Sequence, residues 1–288
     1  MPDPVITDEA SAVAWILERT DPANGDDAAR LAMRCGTLCT SIDSTVAGVH
    51  APHATGPHDL GRRAVGRALS DLAAMGAQPV GLTCAVLVPE RAWQDAIEAM
   101  AGVLERAAEQ GTAVMGGDLT MVDGASALAL TIAVFGEPPG TRAPLPHLTT
   151  MGGARPGDVL AVTGELGAAT AALYAGDPVL PEPPDRIAAG IALAPFAHAM
   201  TDLSDGIAID AAHLAAASRC SLVVELDRLP LASTCPDVRV AAAGGDDYEL
   251  LVALDPGTVD AARMRLGTDI PLTIIGSVAD GRSGLQLR

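Results

Sequence analysis

The stretch Arg63-Ala-Val-Gly-Arg-Ala-Leu-Ser-Asp-Leu-Ala-Ala-Met-Gly-Ala77 decides how this chain is read. Together with the residues just ahead of it, its apolar periodicity predicts a helix over 59–76. At about 100° per residue, Asp71 falls within about 60° of Leu60, Ala64, Ala68 and Met75, on the face that should be buried. A lone carboxylate there costs on the order of several kcal/mol unless a cation or hydrogen-bond donors compensate it. Arg67, one turn earlier, is one candidate partner; a bound metal ion is the other.

Downstream of that helix, 82–88 reads as an apolar strand and 90–110 as a second helix, opened by Pro89 and closed by Gly111. Two further strands follow at 112–115 and 125–135, while upstream 8–19 reads as a helix and 38–49 alternates like a strand. This alternation predicts an α/β (α+β) fold. The segment 137–157 is rich in Pro and Gly and is the best place for a domain boundary. Beyond it the pattern restarts with a strand at 158–162, a helix from about 166, a helix at 186–197 and a short strand at 198–201. Asp202-Leu-Ser-Asp-Gly206 then leads into a helix ending at Ser218, and strands at 221–226, 247–254 and 272–276 with a helix at 258–266 complete the chain. Two domains of similar size are expected, 1–140 and 141–288.

The 288 residues include 18 basic side chains against 36 acidic ones, a formal net charge of -18, and every basic residue is arginine. Without lysine there is no P-loop lysine, no protein-kinase lysine and no Schiff-base lysine. The acidity argues against a nucleic-acid partner. No apolar run reaches the roughly 18 to 20 residues of a membrane span. The start, Met1-Pro-Asp-Pro4, lacks the basic and apolar regions of a signal peptide, and the five cysteines form no CxxC pair. A cytoplasmic protein is expected, and if it handles phosphates, metal ions must supply much of the positive charge.

Six acidic clusters stand in what read as loops or element ends: Gly25-Asp26-Asp27, Ser41-Ile42-Asp43, Leu69-Ser70-Asp71, Gly116-Gly117-Asp118, Asp202-Leu203-Ser204-Asp205-Gly206 and Gly244-Gly245-Asp246-Asp247-Tyr248-Glu249. Each alone is ordinary capping or turn chemistry. In the strand, however, Ser41 and Asp43 share a face opposite Leu38, Thr40 and Ile42, a polar surface of the kind Mg²⁺ prefers. No His/Cys set has zinc spacing. Gly164-Glu-Leu-Gly167 looks like a phosphate-cradling turn, but without a following Lys-Ser/Thr it reads better as strand-to-helix packing.

Taken in order, these motifs resemble the thiamine-monophosphate kinase family, within the superfamily that includes aminoimidazole ribonucleotide synthetase. The matching segments are Gly25-Asp-Asp-Ala-Ala29, Asp43 with Val46-Ala-Gly-Val-His50, Arg63 to Ala77, Gly116-Gly-Asp-Leu-Thr120, Ala154 to Gly164, Asp202 to Gly206 and Gly245-Asp-Asp-Tyr-Glu-Leu250. The resemblance implies a two-domain aminoimidazole ribonucleotide synthetase-like fold whose N-terminal domains pair in a homodimer. It implies a reaction in which ATP and thiamine monophosphate give thiamine diphosphate and ADP, with Mg²⁺ as cofactor. It places Asp27, Ser41, Asp43, Asp71, Asp202 and Asp205 at or around the magnesium ions, with Asp43 and Asp205 as the catalytic carboxylates. Gly117, Asp118 and Ser204 fall toward the nucleotide, and His50 and Asp246 toward the phosphorylated acceptor.

The chain departs from the family at several positions. Ile42 stands where the family usually has Thr, Ala51 where Phe is common, and Asp246 in place of Glu. Met151 aligns with a nucleotide-contacting Arg, leaving Arg142 or Arg155 to reach in its stead. The chain also ends at Arg288, without the family's C-terminal segment and its ring-stacking aromatic. Two other readings therefore stand beside the first: a paralogous kinase for another phosphomonoester, and a non-catalytic nucleotide- or metal-binding homologue.

Overall fold

The computed structural model describes residues 29–33, 36–90, 92–124, 127–140 and 148–288. The helix expected at 8–19, the cluster containing Asp27, and Arg142 lie outside the described residues.

A first sheet has the order β1-β2-β5-β3-β4 and is built from β1 (Ala29–Met33), β2 (Gly36–Val46), β3 (Gln78–Pro89), β4 (Val114–Val122) and β5 (Ala129–Glu137). The β3–β4 pair is parallel and the others are antiparallel. Period-two alternation separates its faces: Leu130, Ile132 and Val134 of β5 are fully buried beneath helices α1 (Pro57–Ala74) and α2 (Trp93–Glu109). The opposite face is open and exposes Ile42 and Leu87.

The second half carries a sheet of order β11-β8-β10-β6-β9-β7, from β6 (Val159–Thr163), β7 (Ala197–Asp202), β8 (Ser221–Val224), β9 (Leu250–Leu254), β10 (Leu272–Ala279) and β11 (Gly284–Leu287). Helices α3 (Ala168–Ala175), α4 (Ile187–Leu193), α5 (Ile207–Ser218), α6 (Val238–Ala243) and α7 (Val259–Leu266) accompany it. Every residue of β9 is buried, which explains its unbroken apolar run.

Helix α1 joins the halves, packing on the first sheet, on α2, and on α4 and β7. Small residues allow the close crossings. A Cβ added at Gly102 would lie 2.0 Å from the His58 carbonyl oxygen, and one at Gly61 would lie 1.9 Å from that of Ala99. Around this crossing Arg62 bonds to Glu105, Glu109 and Glu182, tying α1 to α2 and to the loop before α4. Gly102→Ala is expected to destabilise the protein by about 1–2 kcal/mol, as overpacking against backbone outweighs the gain in helix propensity. Urea unfolding measures it.

Several boundaries differ from the sequence reading. β4 does not stop at 115 but runs through the Gly-Gly-Asp cluster, because Gly117 lets its strand approach Cys84, whose carbonyl oxygen a Cβ would meet at 2.0 Å. Helix α2 begins at Trp93, since β3 extends to Pro89, and α4 ends at Leu193 because Pro195 cannot continue it. β9 starts at Leu250 rather than 247, after a segment in which Asp246 and Tyr248 adopt positive φ of 69° and 51°. β1, β11 and α6, short elements with little periodicity, were not legible at all.

Candidate active site

A cavity of about 380 Å³ opens where α1 meets the end of β2, the end of β7 and the loop before β9. Asp43, His50, Arg67, Asp71, Asp202, Ser204, Asp205, Asp246 and Tyr248 line it, with Ile42 and Val49. Seven of the expected residues, Asp43, His50, Asp71, Asp202, Ser204, Asp205 and Asp246, therefore converge from segments spread over the chain. Ser41 reaches the same place through its hydroxyl.

Each carboxylate is held by a local device. The Ser41 hydroxyl donates to Asp71 Oδ2 at 2.5 Å, and the Ser70 hydroxyl to Asp202 Oδ2 at 2.6 Å. Asp205 sits in the turn before α5, where its backbone N–H donates to Asp210 Oδ2 at 3.0 Å. Arg67, one of the two candidate partners of Asp71, makes no hydrogen bond to it. Arg67 instead donates from Nε to Asp43 Oδ2 at 2.8 Å, across from the helix to β2.

Asp71 thus keeps a serine and no hydrogen-bonded cation. Burial, and then the neighbouring charge of Asp202, push its carboxyl well above the usual range. Burial is also the main cause that raises Asp202 to about 6, against the bond from Ser70, with Asp43 and Asp205 adding to the rise. Asp210 behind them is raised to about 8, chiefly by burial and then by Asp202. This is a region of excess negative charge.

On the other wall Asp246 accepts from Arg63 Nη2 at 2.5 Å and from the Tyr248 hydroxyl at 2.8 Å. Burial first, and then Asp246, hold the Tyr248 phenol well above its ordinary value, so it stays a neutral donor. His50 Nδ1 accepts the Val46 N–H at 3.0 Å, which leaves the ring proton on Nε2. Burial and then Arg67 lower the His50 pKa, so the ring is neutral at pH 7.

Not every expected residue is gathered here. Gly117 and Asp118 lie on the edge strand β4, away from the cavity lining, and Asp118 is exposed and accepts from the Thr120 hydroxyl at 2.6 Å. Met151 is half-buried against the apolar cluster of the second sheet around Leu160 and Leu222, and Arg155 is exposed in the turn before β6; neither lines the cavity. The Gly164–Gly167 turn is filled by the protein's own carboxylate: Asp247 Oδ1 accepts the Gly167 N–H at 2.8 Å, at the start of α3. Sequence reading quoted Ser70 and Tyr248 within its acidic clusters and Arg67 as a candidate partner of Asp71, but gave none of these, nor Asp210, a place in the site. Ser70 could have been found from its place beside Asp71, the others only from the fold.

Among the described residues, no three His, Cys, Asp or Glu side chains form a ready-made metal cage. No described helix is long and apolar enough to cross a membrane.

Residues 25–137 match the model of the AIR synthase related protein N-terminal domain, and 155–287 that of the C-terminal domain. The chain is 34% identical over 275 residues to the thiamine-monophosphate kinase of Halobacterium salinarum, covering 91% of this chain and 90% of that protein. It is also 34% identical over 294 residues to that of Salmonella typhimurium, with coverages of 91% and 85%. Among solved structures, the thiamine-monophosphate kinase of Stenotrophomonas maltophilia superposes with a TM-score of 0.78 at 32% identity, covering 96% and 93% of the two chains. AaThiL complexed with AMPPCP and TMP superposes with a TM-score of 0.83 at 23% identity, covering 97% and 93%.

Proposed function

Since this chain belongs to the AIR synthase related family, and within it to the thiamine-monophosphate kinases, we propose the following roles for its residues in transfer of a phosphoryl group from ATP to thiamine monophosphate. The products are thiamine diphosphate and ADP. The acceptor atom is a phosphate oxygen already ionised at neutral pH, so no side chain has to remove a proton. Bringing two polyanions into line is the difficulty, and positioning with charge neutralisation meets it.

The observation that carries the assignment of the site is the uncompensated pair Asp71 and Asp202, two carboxylates that burial holds largely above their usual range at the floor of the cavity. A divalent cation fits that charge. Asp71, Asp202, Asp43 and Asp205 would hold Mg²⁺, with Ser41 and Asp27 around them. The lack of a complete cage among the described residues is what Mg²⁺ tolerates, since it keeps waters and shares phosphate oxygens. When bound, it would neutralise phosphate charge and orient the two substrates.

Ser204 faces the same cavity and is assigned to the nucleotide, His50 and Asp246 to the acceptor. Gly117 and Asp118 are assigned to the nucleotide as well. Because Asp118 is on the open side of the first sheet, a second copy covering that side would complete the site. The exposed apolar residues Ile42 and Leu87 on this face support such a homodimer, and light scattering tests it. A cytoplasmic enzyme agrees with this chemistry and with the lysine-free, acidic composition.

ADP release with thiamine monophosphate tests the reading. Formation of ADP with that acceptor supports it, and its absence with every phosphomonoester sinks it. Metal dependence supplies a second test. Protonation of Asp202 near pH 6 competes with the cation, so the Mg²⁺ concentration for half-maximal rate is expected to rise steeply below about pH 6.

A further inference from the structure

The site as described gathers five carboxylates, Asp43, Asp71, Asp202, Asp205 and Asp246, where phosphate-bearing substrates must come, in a chain with no lysine. Among the described residues lining the cavity, Arg67 carries the guanidinium. The neighbouring Arg63 is buried and does not line the cavity, and each of its nitrogens is engaged: Nε donates to the His50 carbonyl at 3.2 Å, Nη1 to that of Pro181 at 2.8 Å and Nη2 to Asp246 at 2.5 Å. His50 is neutral and cannot stand in for a cation.

Arg67 is differently placed. Its bonds go to one partner, Asp43, through Nε at 2.8 Å and Nη2 at 3.4 Å. Nη1 is 3.9 Å from Asp246 Oδ1, beyond hydrogen-bond reach. A guanidinium has five N–H donors, so several remain for a ligand. The group stands 5.9 Å from the centroid of the Tyr248 ring, a face that supports a cation without fixing its direction. Its root is on α1, which packs against both halves, and its outer end lies beside Asp246 and Tyr248.

We propose that Arg67 is the residue that recognises the acceptor's phosphate: its unspent N–H donors bind the phosphomonoester oxygens, while Asp43 holds the guanidinium in place when no acceptor is bound. This rests on the kinase reading above. The specificity it confers is for a phosphorylated acceptor over the same molecule without its phosphate.

Calorimetric titration of the full chain, with Mg²⁺ and a non-hydrolysable ATP analogue present, tests it on wild type, Arg67→Gln and Arg67→Lys. Arg67→Gln is expected to weaken thiamine monophosphate binding roughly tenfold to a hundredfold and leave thiamine binding unchanged. Arg67→Lys should recover part of the loss, since it restores charge without the planar fork. In turnover, KM for thiamine monophosphate rises by a similar factor while KM for ATP stays within about twofold. Equal weakening of thiamine and its monophosphate, no weakening at all, or a loss confined to Mg²⁺ and ATP overturns the proposal, since each is what a mere partner of Asp43 would show. If wild type binds neither acceptor, the thiamine reading has failed by itself, and inorganic phosphate in the same titration decides Arg67. Phosphate binding weakened about tenfold by Arg67→Gln then supports the role; equal binding, or none in wild type, overturns it.

Discussion

Asp71→Asn is expected to melt at a higher temperature than wild type when divalent cations are chelated, and to turn over at least about a thousandfold more slowly with Mg²⁺ present. The two effects have one cause. In the metal-free protein the Asp71 carboxyl is driven well above its usual range by burial and by Asp202, so at neutral pH, where the unfolded chain ionises this group freely, keeping it in the fold costs stability. Asn removes the charge and keeps an oxygen to accept from the Ser41 hydroxyl. The same oxygen is a poor substitute for a carboxylate at a cation. A melting scan with chelator, beside an ADP-release assay, measures both. Retained activity or a lower melting temperature would show that Asp71 is a structural group.

The pH dependence has a defined sign. Asp71, Asp202 and Asp210 all have folded-state values above their unfolded value near 3.8, so the folded protein binds the extra protons. Metal-free stability from these groups therefore rises as pH falls from about 8, for Asp210, through about 6, for Asp202, and levels off below 3.8. Added Mg²⁺, the cation proposed for these carboxylates, is expected to oppose that trend by stabilising the charged forms.

Arg186→Met is the second large effect, and it is on folding. Glu249 is almost fully buried, and Arg186 grips it from Nε at 2.5 Å and Nη2 at 2.6 Å while the Thr163 hydroxyl donates at 2.6 Å. Gly164 leaves room for that carboxylate, whose Oε1 would lie 1.9 Å from an added Cβ. Removing the arginine strands a buried charge, and a loss of about 3–5 kcal/mol is expected by chemical denaturation. Arg186→Met combined with Glu249→Leu should recover most of it, because the penalty belongs to the unpaired ion. A double variant as unstable as the single one would locate the damage in packing.

The family match could be read from motif order, because clusters of Asp with Gly recur at spacings that few other sites need. The existence of α1 was legible for a simpler reason: over 18 residues its apolar positions recur at helical spacing. β4 was not, because glycines that read as a loop serve as a place for two strands to approach. The departures at Ile42 and Met151 were visible as letters, yet their meaning depended on position: Ile42 borders the cavity and the open face, while Met151 belongs to a core.

The sequence by itself determined that Asp71 is on a buried face, that the chain must neutralise phosphate without lysine, and which family supplies the plan. Only the tertiary structure decided who pairs with whom. Periodicity says which face a side chain occupies, but Arg67 chose between an aspartate four positions along its own helix and one 24 positions away on β2. That choice follows from the strand packed across the helix, a contact no local pattern encodes. It leaves Asp71 without a hydrogen-bonded cation and Arg67 with unspent donors, the two observations on which the proposed roles rest.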